Sequence, residues 1–188
     1  MDKKLYLVIF ILVSCVLAVV LSFNDIIKND YEYSDIELEV LEKADKKGFV
    51  IENGVLLAYF GDKKEITVPE NVEIIGANSF ASDLNRGVNL DKVIIPGTVE
   101  EIESYAFAFS NADEIVIEEG VKKIGDHAFS DAYITRIYFP NSISEIGYGA
   151  LDTTIGNNPE IICEVDSFAC MHFENDPPYG SNAWKENN

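Results

Sequence analysis

Cys163 and Cys170 are the side chains best placed for covalent chemistry in this sequence. An exported chain would let them form a disulfide; otherwise they read as two small buried residues. Catalysis and metal binding find no comparable footing. The only histidines, His127 and His172, have no metal-ligand spacing to a partner. No serine sits in a nucleophile elbow, no glycine-rich loop could cradle a phosphate, and no calcium loop is present. Aspartate and glutamate are abundant but scattered, which suits a solvated face rather than an acid/base pair. The expectation is a protein that is not an enzyme and takes no cofactor or metal.

The elements that must position these residues repeat themselves. Val93-Ile94-Ile95-Pro96, Ile115-Val116-Ile117-Glu118 and Ile137-Tyr138-Phe139-Pro140 align at a period of 22 residues. Each is followed by the same set: Val99, Val121, Ile143; Ile102, Ile124, Ile146; Ala106, Ala128, Ala150; Phe107, Phe129, Leu151. An earlier copy opens at Ile66 with Ala77 off register, then carries five extra residues in a polar stretch, Ser82 to Asn89. A weaker copy opens at Ile161-Ile162-Cys163, which puts Cys163 in the inward slot of Ile117 and Phe139. A fixed period of this length marks a stacked solenoid. One unit cannot bury Val93, Ile95, Val99, Ile102 and Phe107 alone, so neighbours must pile into one core. The fold class is therefore a β-rich repeat solenoid of about five coils.

The pattern I-x-I-P-x-x-V-x-x-I-G-x-x-A-F resembles the BspA-type leucine-rich repeat, seen here from Ile137 through Pro140, Ile146 and Gly147 to Ala150-Leu151. The resemblance covers residues 48 to 180. Glu103 stands where the pattern has Gly, Glu118 where it has Pro, and Leu151 where it has Phe. The resemblance implies a curved right-handed solenoid on a bacterial or protist surface, used for adhesion or protein contact, without catalysis.

In each strand the residues flanking the inward pair point outward. The first outward row reads Glu65, Lys92, Glu114, Arg136, Glu160 and alternates in sign at every step. Strands about 4.8 Å apart place each charge between opposites, which favours the correct register. The second row reads Thr67, Ile94, Val116, Tyr138, Ile162. A line of apolar residues on a water-facing sheet is a candidate contact site, formed by Ile94, Val116 and Tyr138 with Arg136 at the rim. The rival explanation is strand propensity alone.

Residues 1–23 carry targeting information. Lys3 and Lys4 precede an uncharged run from Leu5 to Phe23, long enough as a helix to approach the roughly 30 Å hydrocarbon core. The length favours a retained signal anchor. Cleavage after Ser22 and lipidation at Cys15 are the alternatives, and all three readings export the domain beyond Phe23. Residues 24–47 read as a stalk and cap helix, with Ser34 and Glu37 as a capping box and Lys46, Lys47 and Gly48 at its end, while the alternation Ile36, Leu38, Val40 leaves a strand reading open. Two apolar runs around Glu52-Asn53-Gly54 read as a hairpin cap on the N-terminal end of the solenoid. Asp166-Ser167 caps a short helix through Phe168, Cys170, Met171 and Phe173 at the far end, and residues 181–188 form a loose tail.

The net charge of -19 argues against nucleic acid as a partner and opposes docking on anionic lipid, so the membrane is met through residues 5–23 only. Two functions fit. One is an exported, membrane-anchored module that recognises a protein at the cell surface. The other is a structural component of the cell envelope that assembles through the ends of the solenoid.

Overall fold

A computed structural model describes residues 41–81, 89–152 and 159–175. Residues 1–23, expected as a signal anchor, residues 24–40, most of the insertion loop and the expected C-terminal tail lie outside the described residues.

Each coil makes two short strands, because inward aliphatic residues alternate with polar ones and a turn follows each pair. The strands are β1 (Phe49–Glu52), β2 (Val55–Tyr59), β3 (Glu65–Thr67), β4 (Ile74–Ile75), β5 (Asn89–Ile95), β6 (Glu101–Ile102), β7 (Asn111–Ile117), β8 (Lys123–Ile124), β9 (Arg136–Tyr138), β10 (Glu145–Ile146) and β11 (Glu160–Ile162). Among the described residues a helix, α1 (Phe168–Asn175), comes after β11. The strands sort into a five-stranded parallel sheet, β11-β9-β7-β5-β3, and a six-stranded sheet, β1-β2-β4-β6-β8-β10. Four coils contribute to both sheets, and β11 opens a fifth.

A third side of the coil is also laddered. The N–H groups of Tyr105, Phe107 and Phe109 donate to the carbonyls of Asp126, Ala128 and Ser130 one coil further on. Those of His127, Phe129 and Asp131 donate to Tyr148, Ala150 and Asp152. Backbone polar groups that would otherwise be stranded between the two sheets are satisfied this way.

Between the three sides lies one continuous core. Val93, Ile95, Val99, Ile102 and Phe107 are fully buried, together with their counterparts Ile115, Val121, Ile124 and Phe129. The phenyl rings form a file along the axis. Phe80 and Phe107 stack at 4.4 Å between centroids, and Phe107 and Phe129 at 5.2 Å. Tyr59 and Phe49 prolong the file at one end, while Phe139 meets Phe173 of α1 at 5.1 Å at the other.

The β1–β2 turn has both Asn53 and Gly54 at positive φ, the conformation whose twist matches a two-residue hairpin. The hairpin continues the six-stranded sheet through β4. Upstream, the sequence places a helix end at Lys46–Gly48, and here the structure differs: the last helical residue is Glu42. The Asp45 carboxylate accepts the N–H groups of Lys47 and Phe49, and the Asp45 N–H donates to the Phe49 carbonyl. Aspartate side chains that bind nearby N–H groups compete with helix in this way.

Glycine and its replacement are both explained at the repeat position after the second strand. A Cβ on Gly125 would strike the backbone of Glu103 and Ser104, and one on Gly147 would strike Asp126. At Glu103 the carboxylate instead reaches back one coil and accepts the Ala77 N–H at 2.8 Å.

The charged row is in register, with Glu65 opposite Lys92, Lys92 opposite Glu114, and Arg136 opposite both Glu114 and Glu160. Glu114 is the centre, bonded to Lys92 at 2.5 Å and to Arg136 at 2.8 Å. The hydrogen bond from Lys92, and then the charges of Lys92 and Arg136, hold the Glu114 carboxyl below its ordinary range. Lys92 is raised in turn, chiefly by the same bond. A shorter ladder, Glu101–Lys123–Glu145, crosses the other sheet. A carboxyl depressed in the folded state contributes stability above its unfolded value of about 4.3, and that contribution is lost as pH falls through the folded value. Glu114→Gln should therefore lower the thermal midpoint by at most a few degrees at neutral pH, and the gap to wild type should close below about pH 4. A gap that persists in acid would show that Glu114 acts by packing instead.

Candidate protein-binding face

The outward face of the five-stranded sheet is built from short strands whose inner residues are locked in the core. Ile66, Val93, Ile115 and Ile137 point inward and are buried. Their neighbours must then project to the other face. The structure brings Ile94, Val116 and Tyr138 into one line, because Ile94 pairs with Val116 and Val116 with Tyr138 across the ladder. Thr67 and Ile162 continue the line at either end.

Ile94, Val116, Tyr138 and Ile162 are half-buried, whereas Thr67 and Arg136 are exposed. Arg136 stands on the same strand as Tyr138 and is tied to Glu114. Glu114 itself has a side chain only 14% exposed. The chemistry of the face is a short apolar strip beside a fixed line of alternating charge, which suits contact with another polypeptide rather than a reaction.

Cys163 comes directly after β11 and is joined to Cys170 of α1, with Cα atoms 5.7 Å apart. The helix starts at Phe168 because the Ser167 hydroxyl accepts the Cys170 N–H. Ala169, Cys170 and Phe173 turn inward. Phe168 and Met171, which the sequence pattern put on the same buried side, are exposed instead. Among the described residues, no group of three or more His, Cys, Asp or Glu could hold a metal ion, and no helix is long and apolar enough to cross a membrane.

Sequence reasoning passed over one feature. His127 stands at the variable position before Ala128, where exposure is expected, yet it is half-buried between two tyrosines. Its ring stacks on Tyr105 at 5.3 Å and meets Tyr148 edge-on at 5.5 Å. The signal was there in the repeat alignment, since Tyr105 and His127 fall at the same step of consecutive coils.

A family model described as a BspA type leucine rich repeat region matches residues 58–177 in 6 copies. No curated protein matches. Among solved structures, the pneumococcal vaccine antigen PcpA is similar at 20% identity over 62% of this chain and 35% of its own, with a TM-score of 0.48. A leucine rich cell surface protein from Faecalibacterium prausnitzii is similar at 20% identity over 64% of this chain and 42% of its own, TM-score 0.42. A leucine-rich repeat protein from Bacteroides ovatus is similar at 21% identity over 64% and 38%, TM-score 0.34. The chain thus spans well under half the length of these structures.

Proposed function

The chain belongs to the BspA-type leucine-rich repeat family, and from that premise we propose that it is an exported, non-catalytic module that recognises a protein at the cell surface. Residues 5–23 hold it in the membrane, with the repeat domain outside; secretion after cleavage is the alternative. On this reading residues 24–47 are a stalk, residues 48–180 the solenoid with its caps, and residues 181–188 a tail.

One observation carries the reading: Ile94, Val116 and Tyr138 form an in-register apolar strip on the outer sheet face, with Arg136 at its rim. Two others support it. The Cys163–Cys170 bridge suits an oxidising compartment outside the cytosol. Helix α1 lays Phe173 against Phe139, so the C-terminal end of the stack has an apolar cover. A covered end disfavours the second function, a cell-envelope component that grows by stacking end on end.

Replacing Val116 and Tyr138 together by Ser should abolish capture of the partner from a panel of surface and matrix proteins. The thermal midpoint should stay nearly unchanged, because neither side chain belongs to the core. A large fall in the midpoint would make the two residues structural. Growth of the full chain's assembly with concentration, tracked by sedimentation, would favour the envelope reading.

A further inference from the structure

The turn on the third side of each coil passes through the left-handed region at the same step. The residues there are Asn78, Tyr105, His127 and Gly149, with φ of 59°, 62°, 54° and 61°. Glycine and asparagine take this conformation readily, whereas bulky side chains resist it. The chain itself therefore shows that the step needs no aromatic ring. Phe109 repeats the point at φ 58°, where the next coil has Asp131 at 54°.

Burial does not offset the strain. Tyr105 is 46% exposed and Phe109 55%; Tyr148, which precedes Gly149 and is not itself left-handed, is 73% exposed. Tyr105 and Phe109 hold their rings outward on a strained backbone, which marks a place where something other than folding is served. Carboxylates rim them. Asp126 accepts the Tyr148 N–H at 2.8 Å, Asp152 lies with the His127 ring beside Gly149, and Asp131 accepts the Ser130 hydroxyl at 3.2 Å. No lysine or arginine occurs in residues 103–110, 125–132 or 147–152.

We propose that this aromatic row is a second docking surface, separate from the sheet face, for a basic segment of a partner protein. Arginine or lysine side chains sit on the rings of Tyr105, Phe109 and Tyr148 and pair with Asp126, Asp131 and Asp152. The face of an aromatic ring attracts a cation, and adjacent carboxylates add to that attraction. Tyrosine also gives rigid contact area with few torsions to freeze. The net charge of -19 steers a cationic segment toward the molecule but does not choose the place. The rings choose it.

The test uses the full chain and a fluorescein-labelled alternating arginine–glycine peptide at physiological ionic strength. The combined variant Tyr105→Ser, Phe109→Ser, Tyr148→Ser keeps the net charge and should bind about tenfold more weakly or worse. Citrulline in place of arginine should abolish binding to wild type. Unchanged affinity in the variant would overturn the proposal, because binding would then be diffuse charge attraction. Should the variant fail to fold, the wild-type protein decides alone. Peptide must shift the His127 ring resonances while leaving those of His172 in place, and static His127 signals would overturn the idea. A response of those signals to a neutral oligosaccharide but not to the peptide would overturn it too, in favour of a glycan.

Discussion

Phe107→Ala should lower the thermal midpoint of the repeat domain by roughly 6–20 °C. The ring is fully buried and lies in the middle of the aromatic file, 4.4 Å from Phe80 and 5.2 Å from Phe129. Truncating a buried phenylalanine costs about 3–5 kcal/mol, and each kcal/mol moves the midpoint of a domain this size by roughly 2–4 °C. The site cannot collapse to fill the gap, because the backbone N–H of Phe107 is tied to Ala128 and the Phe80 N–H to Ala106. In a stack where each coil contacts only its neighbours, the damage also falls on the junction between coils. Scanning calorimetry should therefore show a broader or divided transition. An unshifted midpoint would mean that Phe107 is not shared between coils, and the single core would have to be abandoned.

Gly120→Ala should be about as harmful, by a different route. Gly120 has φ 126°, a region closed to any residue with a Cβ. Its Cβ would meet the backbone of Gly97 in the preceding coil, and a Cβ on Gly97 would meet Glu119 in return. Backbone leaves no flexible atom to give way. Strain of this kind costs about 1–3 kcal/mol, and forced separation of packed groups roughly as much again. Gly120 also donates its N–H to the Ser142 hydroxyl, which in turn donates to the Val121 carbonyl, so a shift here spreads to the next coil. Denaturant unfolding should report a loss of about 2–6 kcal/mol, summing those two costs. The neighbouring exposed change Thr98→Ala should be close to silent. If Gly120→Ala were equally silent, the close packing of these turns would be wrong.

The two expectations differ in how far they could be read without a structure. Phe107 announced itself by aligning with Phe129 and Leu151. Gly120 did not, since its counterparts, Thr98 and Ser142, are not glycine. What makes it irreplaceable is a backbone one coil away. The candidate sheet face was legible in the same partial way. Strand register comes from the repeat, so Ile94, Val116 and Tyr138 had to line up. How much of each remains in water depends on how neighbouring side chains lean, and each lies between buried and exposed.

The aromatic turn shows the same limit more sharply. Tyr105 and His127 could be placed in one column from the sequence, but neither their left-handed backbone nor the stacking of their rings could. Those arise from the third ladder of hydrogen bonds, which pins the turn from both sides. At the N-terminal side, lysine near a glycine suggested a helix end, and a single carboxylate, Asp45, decided otherwise.

By itself the sequence determined the coil length, the columns of the core, the alternating charges and the Asn-Gly hairpin. Each of these depends on residues a fixed number of steps apart, and a repeating chain carries that information along its length. Only the tertiary structure decided where backbone meets backbone, which rings turn outward, how far a strip is covered and whether Cys163 reaches Cys170. Those outcomes depend on distances between coils, and such distances are set by all the contacts acting together.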